Sequence, residues 1–227
     1  MQKSICCSIV AMLSWIMLYA QNQPPVNPSQ QKIKFKPKLG IGLKAGYNWS
    51  YATANQTGVS LKSKSGYMIG AFLSPGGKRS GLGFRSEIIY SHQGYSFEEG
   101  GKNTDVLNDY LYLPQLTTFS IGKKFQLQLG GQMGILLNAK KSSASKDSSM
   151  MDIMNRIDYG FAGGIELNPV AGLIIGGRYN LGLGKMYKRF QQQYSGQNGQ
   201  VPYPLPFNPE TTNLKNGVIQ LFIGYKF

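Results

Sequence analysis

The sequence predicts an all-β protein, an eight-stranded antiparallel up-and-down transmembrane β-barrel. Three observations support this. Eight segments between residues 39 and 227 alternate apolar residues with small or polar ones, which is the period of a strand with two different faces. The connections between them alternate between long and short. Only 15% of the residues are charged while 29 are glycine, a composition that suits strands meeting lipid on one face.

The N-terminal segment is predicted to be a targeting sequence. A positive charge at Lys3 precedes an apolar run from Ile5 to the small residue Ala20, an arrangement typical of a secretory signal peptide over residues 1–20. Both cysteines of the chain lie in this segment, so we expect no disulfide and no thiol chemistry after cleavage. Residues 21–37, rich in Gln, Asn, Pro and Lys, are predicted to form a disordered periplasmic leader before a barrel over 38–227.

Each predicted strand has one apolar face. The first strand, residues 39–50, sets the pattern with Leu39, Ile41, Leu43, Ala45, Tyr47 and Trp49. The alternation recurs near residues 67–73, 82–90, 109–120, 125–137, 156–167, 173–183 and 216–227. In the fourth strand two registers remain open, with an apolar face made either of Leu111, Leu113 and Phe119 or of Tyr110, Tyr112 and Leu116. The strands are roughly 10–13 residues long, and a tilted membrane-crossing strand needs about 9–11. The first and last strands are expected to close the barrel, because lipid offers the backbone no hydrogen-bonding partner.

The alternating connections predict where the barrel sits. The long ones cover residues of about 51–65, 93–108, 139–155 and 184–213, and the short ones 75–79, 122–124 and 168–171. Outer-membrane barrels have short periplasmic turns and long extracellular loops. We therefore expect a bacterial outer-membrane protein with extracellular long loops. Because the strand count is even, both termini are expected in the periplasm.

Aromatic residues fall near the predicted strand ends, where amphipathic rings favour the depth of the lipid headgroups. The candidates on the long-loop side are Tyr47, Trp49, Tyr67, Tyr90, Tyr110 and Tyr159, and those on the short-turn side are Phe125, Tyr225 and Phe227. Two interfacial girdles are therefore predicted.

The second face of the strands is predicted to line the lumen. It is mostly Gly, Gln, Ser and Asn, which favours a narrow barrel interior over the watery outside of a lipocalin-like soluble barrel, the alternative architecture. The charged residues with inward parity are Lys44, Arg85, Glu87, Arg156, Asp158, Glu166 and Arg178. Buried charges must be paired, so we expect a polar network that plugs the lumen. A narrow pore and acid–base chemistry are the other interpretations of this set.

Three segments together resemble the PorT-like outer-membrane β-barrel family of Bacteroidetes, over roughly residues 38–227. These segments are 108–114, 177–183 and 216–227. The resemblance implies an eight-stranded barrel inserted by the barrel-assembly machinery, with Ile223, Tyr225 and Phe227 matching the C-terminal assembly signal. The family is named after a protein tied to protein secretion, so it also implies an envelope or secretion partner. The chain departs from the family at Tyr112, where an acidic residue is common.

No motif predicts catalysis. His92 is the single histidine, and its neighbour Ser91 points to the opposite face of the strand, so the two cannot form a direct catalytic pair. The sequence therefore predicts no catalytic, cofactor-binding or metal-binding residues. The net charge of +14 invites a nucleic-acid interpretation, but a secreted basic barrel fits anionic lipid and lipopolysaccharide better.

These observations lead to one main functional hypothesis and two alternatives. The main hypothesis is a non-enzymatic outer-membrane barrel with a structural or interaction role, accessory to an envelope or protein-secretion complex. The alternatives are a narrow pore for small solutes and a lipid-modifying outer-membrane hydrolase.

Overall fold

The computed structural model describes residues 38–54, 60–76, 81–99, 102–143, 146–188 and 212–227. The predicted signal peptide, the predicted leader and residues 189–211 of the last long connection lie outside the described residues. Within the described part of the chain, no helix has the length and apolar composition needed to cross a membrane.

Nine strands make up the described fold. They are β1 (Lys38–Thr53), β2 (Leu61–Gly76), β3 (Gly81–Glu99), β4 (Lys102–Ile121), β5 (Phe125–Ser143), β6 (Lys146–Ser149), β7 (Ile157–Leu167), β8 (Leu173–Gly182) and β9 (Lys215–Lys226). All neighbouring strands are antiparallel. The order β4-β3-β2-β1-β9-β8-β7-β5 is completed by pairing of β4 with β5, so eight strands close into a ring. This confirms the predicted fold, and the predicted closing strands are β1 and β9. The short β6 pairs only with the end of β5.

The outer wall of the barrel carries an apolar belt. In β7, for example, Ile157, Tyr159, Phe161, Ile165 and Leu167 are 48–62% exposed. The buried residues that alternate with them are Asp158, Gly160, Ala162 and Glu166. The fourth strand adopts the first of its two registers, because Tyr110, Tyr112 and Leu116 are buried inside. Tyr110 is therefore not part of a girdle. Rings do pair at the belt edges, with Tyr47 against Trp49 at 4.6 Å and Tyr225 against Phe227 at 5.3 Å between centroids.

Strands β3, β4 and β5 are longer than predicted, with 19, 20 and 19 residues. The expected loop at 93–108 is wrong, because β3 continues to Glu99 and β4 starts at Lys102. Part of the expected loop at 139–155 is also strand, in β5 and β6. Beyond the belt the two faces exchange polarity. The inward side becomes apolar with Tyr95, Phe97 and Val106, all at most 1% exposed, while the outward side carries Ser96, Glu98, Asn103 and Asp105. A strand leaving lipid for water needs this reversal, since its outer face must then be polar.

The two described short turns bring β4 to β5 and β7 to β8. Each contains a glycine in the left-handed backbone region, Gly122 with φ 64° and Gly172 with φ 83°. Glycine occupies this region without steric cost, which explains its place in both turns. These turns define the short-turn end of the barrel.

A hydrophobic cap fills the opposite, long-loop end of the interior. After β6 the chain makes a turn in which Met154 N donates to Met150 O at 3.2 Å. Met150, Ile153 and Met154 are at most 2% exposed, and Met154 forms a β-bridge with Tyr187. The Tyr187 hydroxyl hydrogen-bonds that of Tyr95. Burial raises the pKa of Tyr95 well above its ordinary value, so this contact stays a neutral one.

Candidate functional site

The middle of the barrel holds a charged layer centred on Glu87. Arg178 forms a bidentate pair with the Glu87 carboxylate, with Nη1 donating to Oε2 at 2.6 Å and Nη2 to Oε1 at 3.0 Å. Lys44 Nζ donates to the same Oε2 at 2.7 Å. The side chains of all three residues are at most 1% exposed. Glu87 therefore joins β1, β3 and β8 across the lumen.

A second bidentate pair lies on the short-turn side of the first. Arg85 donates to the two carboxylate oxygens of Glu166 at 2.5 and 3.0 Å, and to Gln126 Oε1 at 3.0 Å. Gln128 connects the two pairs, since its Nε2 donates to Glu166 at 2.8 Å and its Oε1 accepts from Arg178 at 2.6 Å. The charged layer is thus one hydrogen-bonded unit.

Two inward aromatic rings complete the charged layer. The Arg85 guanidinium lies 4.4 Å from the centroid of Phe72, and Lys44 Nζ lies 4.5 Å from that of Phe222. A ring face stabilises a desolvated cation without supplying a counter-charge. The rings also fill space that water would otherwise occupy, so the layer is a packed plug.

An upper layer, in which the hydrogen-bond donors are neutral side chains, lies between the charged layer and the hydrophobic cap. The Tyr112 hydroxyl donates to Asp158 Oδ2 at 3.2 Å and accepts from Asn216 Nδ2 at 3.1 Å. Asn216 Nδ2 also donates to Gln93 Oε1 at 2.6 Å, and Gln93 Nε2 donates to Ser91 Oγ at 2.7 Å. Asp158, 7% exposed, therefore meets neutral donors in place of a cation. Tyr112 thus serves as a hydrogen-bond partner of an acid on β7.

The structure separates one predicted lumen residue from the rest. Lys44, Arg85, Glu87, Glu166 and Arg178 form the charged layer, and Asp158 belongs to the upper layer. The prediction for Arg156 is wrong, since its side chain is exposed. It directly precedes β7, beside the segment that supplies Ile153 and Met154 to the hydrophobic cap.

Ser91 and His92 lie on opposite sides of the wall, as expected from their spacing. Ser91 is 0% exposed and accepts from Asn48 Nδ2 at 2.8 Å inside the barrel. His92 faces outward, stacks on Tyr67 at 5.3 Å between centroids, and places Nδ1 2.6 Å from Asp109 Oδ1. The histidine thus belongs to the outer rim of the belt. Among the described residues no group of three His, Cys, Asp or Glu side chains could hold a metal ion.

The short-turn end opens into a cavity of about 480 Å³. It lies between the turns at residues 122–124 and 168–172, with Arg85 and Glu166 at its inner side and Lys226 at its edge. The residues of the predicted assembly signal, Ile223, Tyr225 and Phe227, lie on the outer wall nearby and are 50–74% exposed.

The sequence matches the family described as "Outer membrane protein beta-barrel domain" over residues 19–188. This chain belongs to that family. A search of the curated proteins found no match.

Among solved structures, this outer-membrane barrel is similar to several small barrels. Neisserial surface protein A (NspA) aligns with a TM-score of 0.50 and 14% identity, covering 82% of this chain and 97% of that one. The attachment invasion locus protein Ail of Yersinia pestis aligns with a TM-score of 0.47 and 20% identity, covering 83% and 98%. OprG of Pseudomonas aeruginosa aligns with a TM-score of 0.45 and 11% identity, covering 84% and 97%. At such identities the similarity concerns the fold alone.

Several members of the lumen network of this outer-membrane barrel escaped the sequence analysis. Gln126, Gln128, Tyr112 and Asn216 are neutral, and the sequence analysis named only charged residues as members of the network. A usable signal did exist, because each of them alternates along its own strand with residues of the apolar outer face and therefore points inward. Long polar side chains at inward positions of a narrow barrel are forced to contact one another.

Proposed function

We propose that this outer-membrane barrel is non-enzymatic and has a structural or interaction role, as an accessory of an envelope or protein-secretion complex. The family membership supports the location, and the resemblance to PorT-like barrels favours the secretion context. The long-loop end is proposed to face outward and both termini to face the periplasm. Lipid, lipopolysaccharide and the barrel-assembly machinery are its expected contacts in the envelope.

The observation that carries this proposal is the filled interior. Three stacked regions, namely the charged layer, the upper layer and the hydrophobic cap, occupy the lumen of the described barrel. The charged layer alone joins Arg178, Glu87 and Lys44 at 2.6–3.0 Å across the lumen. An ion crossing this layer would have to break bidentate pairs in a region of low dielectric, where such pairs are strongest. The filled interior therefore favours a structural role over the pore.

The outer wall of the long-loop end offers a surface for interaction. On β2, β3 and β4, Lys64 and Ser96 both hydrogen-bond Asp105, and Lys62 pairs with Glu98 at 3.5 Å. These contacts hold three strands together above the apolar belt. A rigid polar wall can present side chains to a partner with little ordering cost.

The hydrolase alternative finds little support in the wall geometry. A serine nucleophile needs a base within hydrogen-bond reach. Ser91 Oγ instead contacts the amides of Asn48 and Gln93 inside the barrel, and His92 contacts Asp109 outside it. Lipid A from a deletion strain should accordingly have an unchanged mass spectrum, and a changed spectrum restored by the wild-type gene would favour the hydrolase.

Conductance in planar bilayers tests the proposal against the pore. The purified barrel, first shown to migrate differently before and after boiling, should insert without producing discrete current steps. Discrete steps that persist in the folded fraction would overturn the proposal and make the narrow pore the leading function.

Site-specific photo-cross-linking in intact cells tests the interaction role. A photoreactive residue at Asn103, exposed on β4 beyond the belt, should yield a discrete protein adduct. The matched control is Leu129, which is 67% exposed on the lipid-facing wall and should yield none. Equal labelling at both positions, or none at Asn103 and at its exposed neighbours on β3, would count against an interaction role.

Thiol labelling tests the proposed orientation. Asn103→Cys should react with a membrane-impermeant maleimide in intact cells. Lys124→Cys, in an exposed short turn, should react only after the outer membrane is opened. The reverse pattern would place the long-loop end in the periplasm.

A further inference from the structure

The cavity at the short-turn end has an unbalanced charge. Its described lining contains the cationic side chains of Arg85, Lys123, Lys124 and Lys226, against the single carboxylate of Glu166. The remaining lining is neutral, from the two short turns and from polar residues such as Ser120 and Gln126. Cations that converge on a concave site raise the local concentration of anions.

A buried arginine, Arg85, lies at the inner side of the cavity and has one N–H group that donates no hydrogen bond to the described residues. Arg85 is 2% exposed, and its terminal nitrogens are bound to Glu166 and Gln126. Its Nε is buried and has no hydrogen-bond partner among the described residues. A buried donor without an acceptor is unfavourable, so an acceptor supplied through the cavity would stabilise this end of the barrel.

Lys226 belongs to the cavity because its side chain follows the inner wall. A Cβ atom built on Gly40 would lie 2.2 Å from Lys226 Cε and 3.0 Å from its Nζ. Because Gly40 has no side chain, the space beside it is free for the side chain of Lys226. Its side chain is partly buried and its ammonium group lies at the cavity edge.

We propose that this cavity binds an oxyanion with two or more negative charges, of the phosphate or diphosphate class. Guanidinium and ammonium groups are the donors that proteins use for phosphate oxygens, and they form charge-assisted hydrogen bonds. Four cations against one carboxylate call for more charge than a single carboxylate ligand carries. The oxyanion comes either from a soluble solute or from a lipid headgroup that ends in a phosphate monoester. This inference is independent of the proposed interaction role.

Isothermal titration of the folded barrel in neutral detergent with sodium pyrophosphate, at low ionic strength, tests the proposal. The variant Lys124→Gln/Lys226→Gln should bind roughly tenfold more weakly for each cation removed, the loss expected for one charge-assisted hydrogen bond. The matched control is Lys140→Gln/Lys215→Gln, which removes the same charge from exposed positions at the long-loop end and should bind as wild type. Lys123→Gln/Lys124→Gln, which changes only exposed turn residues, provides a second cavity variant that leaves the strands intact.

The outcomes are distinct. Absence of binding by the folded wild type, or an equal loss in the cavity and control variants, would overturn the proposal, because the charge of the whole protein would then account for any binding. Competition by short-chain phosphatidic acid, whose phosphate monoester can carry two negative charges, would identify the headgroup as the source. Pyrophosphate binding that this lipid does not displace would identify a soluble oxyanion.

Discussion

Inside the barrel, the carboxylate of Glu87 accepts hydrogen bonds from two cations at once. Replacing it by glutamine leaves Lys44 and Arg178 buried without a counter-charge. Glu87→Gln should therefore lower the free energy of unfolding by about 3–5 kcal/mol, the usual result of breaking a buried pair by removing one partner. Denaturant unfolding in lipid vesicles, followed by the fluorescence of Trp49, measures this change.

The control for this substitution is Glu98→Gln on the outer wall. Glu98 pairs with Lys62 at 3.5 Å, and both side chains are about half exposed. An exposed pair contributes roughly 0–1 kcal/mol, so this variant should unfold almost as wild type. Similar losses in both variants would mean that the charged layer does not depend on the Glu87 carboxylate.

A carboxylate outside the apolar belt should make stability depend on pH. Burial alone would raise the pKa of Asp105, but hydrogen bonds from Lys64 and Ser96 and the lysine charge outweigh burial and hold it below its ordinary value of 3.8. A lowered pKa means that this stabilisation is complete above the unfolded value and is lost as the pH falls through the folded one. The difference in unfolding free energy between wild type and Asp105→Asn should therefore be constant near neutral pH and shrink below about pH 4.

Lys64→Gln separates the cause of this dependence. Without the lysine the pKa of Asp105 should move toward its ordinary value, so the pH-dependent part of the difference should largely vanish. If it persists unchanged in a Lys64→Gln background, Ser96 and not the ion pair stabilises the carboxylate.

At the scale of the strands, alternation was sufficient to find every barrel strand but not to find their ends. The prediction gave the third strand an apolar face from Leu82 to Tyr90 and a loop from about residue 93, and the structure shows that the apolar residues change face there. The alternation itself continues, with Tyr95 and Phe97 now inside and Ser96 and Glu98 outside. The rule that apolar residues of a strand face the lipid holds only within the apolar belt. Whether a strand continues beyond it depends on what fills the interior, here the hydrophobic cap, whose members come from distant parts of the chain.

Close packing between strands gives a test at this scale. Gly134 on β5 faces inward, and a Cβ atom there would lie 2.4 Å from the Tyr112 ring, which Asp158 and Asn216 hold by hydrogen bonds. Gly134→Ala should therefore displace the ring and lower the free energy of unfolding by about 1–3 kcal/mol, the cost of overpacking. The matched control is Gly131→Ala on the outer face of the same strand, where the nearest atom would be 3.9 Å away.

Denaturant titration of both variants measures this difference. The control should unfold as wild type or slightly later, because alanine loses less backbone freedom on folding than glycine. Equal destabilisation of the two would show that Gly134 matters for the backbone of β5 and not for the space it leaves to Tyr112.

At the scale of the whole molecule, the alternation of inward and outward positions assigned the charged residues to the lumen. It could not predict which of them form ion pairs with one another. Arg85 and Glu166 are 81 positions apart, and Arg178 and Glu87 are 91 apart. Their contact depends on the relative heights of strands that are not neighbours in the ring, and those heights follow from the registers of every strand between them. Arg156 illustrates the same point, because its parity is inward but its side chain is exposed.

Closure of the ring depends on the pairing of β1 with β9, which are the first and the last strand of the described barrel. Ala45 and Ile223 are direct partners in this register, and both are exposed on the outer wall. Opposed Cα atoms in antiparallel strands lie about 4.5–5.5 Å apart, within the range that a disulfide spans. Ala45→Cys/Ile223→Cys should therefore oxidise within the folded barrel. The linked chain should migrate faster than the reduced one after boiling, because the disulfide closes a loop of nearly the whole barrel.

Two further pairs make this result decisive. Leu43→Cys/Ala71→Cys joins register partners on β1 and β2 and should oxidise equally well. Ala45→Cys/Leu129→Cys joins β1 to β5, four strands away in the ring, and should not oxidise. If the hairpin pair forms a disulfide while the pair at 45 and 223 stays reduced in the folded fraction, the strands form an open sheet. In lipid an open sheet would leave two rows of backbone groups without partners, so only the closed ring is compatible with a membrane-spanning barrel.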